Sequence, residues 1–267
     1  MGLSLDRRHV LLTGATGGLG RAIARGLQAR GATVVATGRR EEALEELRAE
    51  LGDRIEPRVA DLTAPDEVAA LADRAGRVDV LVANAALPAS GRLDSFSPEE
   101  IDRAIDVNLR APMQLARAVV PAMVERGEGH LVFVSSLNGK VPSAGTSVYT
   151  ATKYGLRGLS ASLRAELSGA GVGVSAVFPS FIAGAGMWAD TRIELPRGVR
   201  LPLPEDVAAA VVRAIEKGRG EIDVAPIALR VSAALAGVAP GLVAAVGSRL
   251  GAGEVADRAA AAQRSKR

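Results

Sequence analysis

The chain has 267 residues, of which 48% are hydrophobic and 24% charged, with a formal net charge of +3. That is ample apolar material for a sizeable core, and a length that one large α/β domain can use up by itself. Cysteine is absent, which excludes disulfides, thiolate metal ligands and a thiol nucleophile, while aromatics at 3% argue against stacking on nucleic acid.

The two histidines, His9 and His130, lie far apart and give no reason to expect a metal. No signal peptide is visible, so a cytoplasmic protein without an integral membrane segment is expected.

Strand-like and helix-like segments alternate from the start. An apolar run at 9–13 leads into Gly14-Ala15-Thr16-Gly17-Gly18-Leu19-Gly20, and a helix is predicted over 18–30. Strand, glycine turn and helix in that order suit an anion. Gly14 allows the tight turn, while Gly18 and Gly20 let backbone N–H groups and the helix N-terminus approach a pyrophosphate. A second strand at 32–37 ends in Gly38-Arg39-Arg40, ahead of a helix at 40–51. Dinucleotide sites place an acid here for a ribose 2′-hydroxyl, or an arginine for a 2′-phosphate. Gly38 fills the acidic position, so a 2′-phosphate is favoured, with Arg39 as its chief ligand and Arg40 as a second. The alternative is that Arg40 only faces solvent.

A third strand at 55–59 precedes Asp61-Leu62 and a helix at 65–75, and a fourth at 78–83 precedes Asn84-Ala85-Ala86. One long helix is predicted over 98–126, with Ile101, Ala104, Ile105 and Leu109 on the same stripe as Asn108. A polar side chain on an apolar stripe needs a buried partner. Four residues on, Pro112 has no N–H to give the Asn108 carbonyl, so a kink and a freed carbonyl able to hold a water are expected there.

A strand at 130–135 ends in Ser135-Ser136, and a helix at 148–169 opens with Tyr149 and Lys153. Positions i and i+4 share a helix face. An ammonium about 4 Å from a phenol, at an effective dielectric of ~20, favours the phenolate by roughly 4 kcal/mol, or about three pKa units. A strand at 172–178 runs to Pro179, and the loop over 183–200 contains Gly184, Gly186, Met187 and Trp188, a composition suited to a hinged apolar lid, with packing of Met187 and Trp188 onto the core as the alternative. A helix at 204–217 and a strand at 221–225 follow. The uncharged stretch Val231 to Ser248 reads as a helical pair that completes a pocket or an oligomer contact.

These segments predict a single α/β domain over 1–267, a doubly wound parallel sheet of about seven strands with helices on both faces, in three layers. Residues 183–200 would be a substrate lid and 226–267 a variable extension. Gly14, Asn84, Ser136 and Pro179 fall at or just beyond strand ends, so four strands deliver candidates to one edge.

In these motifs, from Leu5 to about Ala225, the sequence resembles the single-domain branch of the short-chain dehydrogenase/reductase family. Thr13-Gly14-x-x-x-Gly18-x-Gly20 is similar to its cofactor loop, Asp61-Leu62 to its adenine-contacting pair, and Asn84-Ala85-Ala86 to its N-A-G. Asn108, Ser136, Tyr149 and Lys153 match its catalytic tetrad. The resemblance implies hydride transfer between NADP(H), with NAD(H) as the alternative, and a carbonyl or alcohol substrate, which the Met187-Trp188 loop suggests is rather apolar. The alternative function is an NADPH-binding regulator or scaffold without turnover. Tyr149 would move the proton, Ser136 hold the substrate oxygen, Lys153 tune the phenol and bind ribose, and Asn108 support a water chain. Thr16, Leu19, Ala85, Pro179 and Ile182 would join Gly14, Gly18, Gly20, Asn84, Tyr149 and Lys153 at the cofactor. A homodimer or homotetramer is implied as well. Three departures stand out: Ala86 and Ser180 in place of family glycines, and Gly184 where relatives often carry a threonine.

Overall fold

The computed structural model describes residues 2–184 and 200–237. Seven strands form one parallel sheet: β1 (His9–Thr13), β2 (Thr33–Gly38), β3 (Ile55–Val59), β4 (Val80–Ala83), β5 (Gly129–Val134), β6 (Val172–Pro179) and β7 (Glu221–Val224). Their spatial order is β3-β2-β1-β4-β5-β6-β7. The helices are α1 (Gly18–Gln28), α2 (Glu41–Leu51), α3 (Pro65–Arg74), α4 (Pro98–Ile105), α5 (Ala111–Arg126), α6 (Ser147–Glu166), α7 (Pro204–Lys217) and α8 (Ile227–Ala236).

The inner strands are apolar at nearly every position because both faces of the sheet are covered. Side chains alternate between faces. Val10 and Leu12, Val80 and Val82, and Val132 and Val134 join one core with α1, α2 and α7. Leu11, Leu81, Leu131 and Phe133 join the other with α3, α5 and α6. Each such leucine or phenylalanine, fully buried, contributes roughly 1.5–3 kcal/mol, so the sheet is a stiff platform for whatever its loops carry.

The predicted helix over 98–126 is interrupted. Ser97 caps α4 through a reciprocal capping box with Glu100, and Pro98 opens its first turn. A π turn then spans Asp106–Arg110, where Ala111 donates to the carbonyl of Asp106, and α5 resumes beyond it. The expected kink therefore takes the form of a widened turn, as suits a backbone that cannot use Pro112 as a donor. On α6, half-buried Gly155 lets the helix approach the π turn closely: a Cβ there would lie 2.9 Å from Leu109. No described helix is long and apolar enough to cross a membrane.

Candidate functional site

Because β1 lies between β2 and β4, the chain leaves β1 and β4 in different directions and opens a crevice over their C-terminal ends. The two loops are stitched across it. Thr13 Oγ1 accepts from the backbone N–H of both Asn84 and Ala85 at 3.0 Å, and the Asn84 amide donates to the carbonyls of Thr13 and Gly14 at 3.0 and 3.2 Å. Asn84 thus braces the floor of the crevice with its side chain. Gly14 has φ +66°, and a Cβ on it would sit 2.8 Å from Ala85 Cα. On Gly20 a Cβ would fall 2.0 Å from the Gly14 carbonyl oxygen. The loop closes this tightly only with glycine at both positions.

The loop leaves the N-terminus of α1 bare. Gly17 offers no side-chain cap and the first turn holds no acid. Its N–H groups and the positive end of the helix dipole are therefore available to an anion. Thr16 stands over this loop beside the end of β2, where a Cβ on Gly38 would lie 3.2 Å from its Oγ1. Leu19 turns toward the α1 core and leaves the anion side to backbone groups. Arg39 and Arg40 follow Gly38, are exposed, and make no side-chain hydrogen bond or ion pair with a described residue. Beyond β3, Asp61 Oδ1 accepts from Thr63 N and Oγ1, both at 2.9 Å, and its own N–H donates to Glu67, so the turn holding Asp61 and Leu62 is internally tied. At the exit of β6, Pro179 ends the strand and Ile182 is buried in the α1-side core, leaving its backbone rather than its side chain for a ligand.

Asn108 is fully buried at the π turn. Its Oδ1 accepts from Leu87 N at 2.7 Å and its Nδ2 donates to Leu87 O at 3.0 Å, with Thr152 Oγ1 at 3.5 Å. The side chain imitates a strand partner for Leu87 and fixes the loop that follows Asn84-Ala85-Ala86.

Ser136 caps a short 3₁₀ turn, Leu137–Gly139, accepting from Asn138 N at 3.2 Å, and it hydrogen-bonds the Tyr149 phenol. Ser135 has a different task, donating to the Lys153 carbonyl at 3.0 Å and so holding α6 in register. Lys153 is 1% exposed. Its Nζ donates to the Val134 carbonyl at 3.2 Å and lies 5.5 Å from the centre of the Tyr149 ring. Tyr154 faces elsewhere, its hydroxyl donating to Lys140 O at 2.6 Å.

Electrostatics of the pair differ from the expectation. Burial pushes Tyr149 up to about 12, against the opposing pull of its Ser136 hydrogen bond. Burial also pushes Lys153 down to about 7. The cation that was to lower the phenol is itself disfavoured by the same apolar surroundings, so in the protein alone desolvation outweighs attraction. Tyr149 packs with Phe96 and Ile101 against Ala89, Ala104 and Val148, an apolar wall beside the phenol.

Two departures from the family pattern fit without strain. Ala86 and Ser180 are absent from the positive-φ residues, so neither needs glycine, and Ser180 uses its hydroxyl and N–H to bond the Val224 carbonyl at 3.2 and 3.0 Å. Gly184 has φ +68°, a conformation that disfavours a threonine. Gly186, Met187 and Trp188 lie outside the described residues. Sequence reasoning missed Thr13 as a stitch, Leu87 and Thr152 as the partners of Asn108, and Lys140. Thr13 alone carried a signal, its place beside Gly14. A cavity of about 620 Å³ opens at the opposite edge of the sheet, lined by Arg164, Ser168 and Gly171 among others, and shares nothing with this constellation.

A family profile described as short chain dehydrogenase matches residues 8–195. Ketoacyl reductase HetN of Nostoc sp. (strain PCC 7120) is 38% identical over 227 residues, covering 82% of this chain and 79% of that protein. The NADP-dependent 3-hydroxy acid dehydrogenase YdfG of Escherichia coli (strain K12) is 39% identical over 180 residues, covering 66% of this chain and 73% of the relative. Among solved structures, a short-chain dehydrogenase from Sphingobium yanoikuyae in complex with NADPH superimposes with a TM-score of 0.77 at 32% identity, covering 88% of this chain and 94% of the other.

Proposed function

The chain belongs to the short-chain dehydrogenase/reductase family of oxidoreductases, and we propose that it interconverts a carbonyl and an alcohol using NADP(H). The observation that carries this reading is the meeting of Ser136, Tyr149 and Lys153 beside the glycine loop, on one edge of one sheet.

The residues present fit such a cofactor. A cradle that a single methyl would fill, an uncapped α1 N-terminus and two exposed arginines beyond β2 suit a pyrophosphate and a 2′-phosphate respectively. A similar structure in complex with NADPH and an NADP-dependent relative support the same choice. Bound there, the nicotinamide supplies or accepts the hydride.

Tyr149 gives its phenolic proton to the carbonyl oxygen in reduction and takes it back in oxidation. Ser136 bonds the same oxygen and fixes it beside the phenol. Lys153 holds a proton behind Tyr149 and offers donors to ribose hydroxyls. Asn108 positions Leu87 and thereby the loop that follows Asn84-Ala85-Ala86. The apolar wall of Phe96, Ile101 and Val148 favours a substrate that is nonpolar next to its carbonyl. The whole chain acts as one domain, with 183–200 as lid and 226–267 as a variable extension, in a homodimer or homotetramer.

The test is turnover of purified protein with NADPH or NADH across ketones, aldehydes and 3-oxoacyl thioesters. NADPH oxidation coupled to alcohol formation is the expected result. Tight NADPH binding without turnover on any carbonyl would refute the enzyme assignment.

A further inference from the structure

Four residues beyond Ser136, Lys140 ends the 3₁₀ turn, its N–H bonded to Leu137 O at 2.8 Å. Its side chain is only 9% exposed. The ammonium donates to Asp223 Oδ1 at 2.6 Å and pairs with Glu221 Oε2 at 2.8 Å, both on β7. It also lies 4.1 Å from the centre of the Phe178 ring. Arg157 on α6 completes the group, pairing with Glu221 at 2.9 Å, so two cations face two carboxylates. Lys140 is the buried member of this charge-balanced cluster, while Glu221, Asp223 and Arg157 remain partly open to solvent. Removing either carboxylate partner leaves a largely desolvated ammonium short of a partner, so the pairing holds a specific geometry.

What it holds is the turn carrying Ser136. We infer that Lys140 is a positioning residue for the reaction, tying the catalytic-serine turn to the edge strand β7. The inference rests on the reading of Ser136 and Tyr149 proposed above. On the α6 side the turn is already fixed by Ser135 Oγ on the Lys153 carbonyl, by Tyr154 on the Lys140 carbonyl, and by the Asn138 amide on Thr146 and Thr150 Oγ1 at 3.1 and 3.4 Å. Lys140 Nζ ties the turn from the opposite side, to β7. The end of β7 also receives Ser180 at the Val224 carbonyl, so one strand braces both the serine turn and the start of the loop after β6. With Lys140 loosened, the turn pivots about its α6 contacts. Ser136 Oγ then drifts from both the substrate oxygen and the phenol.

Lys140→Met keeps an unbranched stem on Phe178 and removes the charge. The expected result is a fall of about tenfold in kcat for carbonyl reduction, with NADPH Kd and substrate KM changed by less than about twofold. Around the phenol stand Ser136 from the turn and Lys153 from α6, and weakening the Ser136 hydrogen bond moves the alkaline limb of the alcohol-oxidation pH profile upward. A loss of stability alone would not move that limb. Lys140→Arg should restore kcat to within about threefold of the parent, since it keeps charge and pairing. Asp223→Asn, which breaks the tether from β7, should lower kcat in the same direction, and adding it to Lys140→Met should cost nothing further. If Lys140→Met does not fold, Asp223→Asn carries the test. An active parent whose variants keep kcat within about twofold, or lose melting temperature without a shifted pH limb, overturns the tether alone. A parent with no turnover overturns the tether and the proposed function together.

Discussion

Acid should destabilise this protein through His130 in particular. The imidazole is fully buried at the start of β5, its Nε2 bonded to Ser175 Oγ at 2.8 Å and its Nδ1 without a partner among the described residues. It lies against Gly173, its register partner on β6, where a Cβ would come within 2.3 Å of Nδ1. Burial, helped by the positive charge of Arg164, lowers its pKa from 6.5 to about 3. Between those values the unfolded chain binds a proton that the folded chain refuses, so stability falls as pH falls. At 1.36 kcal/mol per unit, the loss is about 3 kcal/mol from about pH 7 to about pH 4, and about 5 kcal/mol in full. Urea unfolding followed by circular dichroism at a series of pH values measures it. Asp79 and Glu221, whose partners hold them below the usual carboxylate range, lose their own contribution in acid in every variant. The informative quantity is therefore the difference between the parent and His130→Gln, which keeps a partner for Ser175 without titrating. Parallel loss of stability in the two proteins down to about pH 4 would refute the buried neutral imidazole.

Tyr149→Phe should leave NADPH affinity nearly unchanged and reduce turnover to below about a tenth, a cost above ~1.4 kcal/mol; activity higher than that removes Tyr149 from the chemistry. Arg39→Asp should lower NADPH affinity by about ten- to a hundredfold, since a charge-assisted bond to phosphate is worth roughly 1.5–3 kcal/mol. An unchanged NADPH/NADH ratio of kcat/KM would show that the end of β2 does not read the 2′-phosphate. Gly38→Asp is the poorer probe, because its Cβ already crowds Thr16 at 3.2 Å. Gly20→Ala should weaken NADPH binding severely, because its methyl would meet the Gly14 carbonyl at 2.0 Å whereas one on Gly17 would stand 3.7 Å away; equal binding by both alanine variants contradicts the cradle. Alcohol oxidation, which needs the phenolate of a tyrosine raised to about 12, should accelerate with pH through the neutral and alkaline range, while carbonyl reduction should not. Identical profiles in the two directions would argue against a shared phenol.

The sheet was legible because its strands must be apolar on both faces, and the order of elements then left little freedom in topology. Gly14, Ser136, Tyr149 and Lys153 were legible for a related reason: strand ends and i, i+4 helix spacing place side chains by geometry alone. What escaped were features set by partners distant in sequence. Asn108 announced that it needed a buried partner, but nothing in its neighbourhood named the backbone of Leu87, 21 residues earlier. Pro112 announced a disturbed helix, yet whether the backbone would bend or widen depended on packing around Asp106–Arg110. Lys140 sits 83 residues from Asp223 and has no local pattern at all. The sign of the Tyr149 shift failed for a deeper reason. Spacing gives the distance between phenol and ammonium, but the dielectric they share is built by Val148, Phe133 and the rest of the fold, and that medium acts on both groups at once. A four-residue motif therefore specifies which atoms meet, while the surrounding core decides which of them is charged when they do.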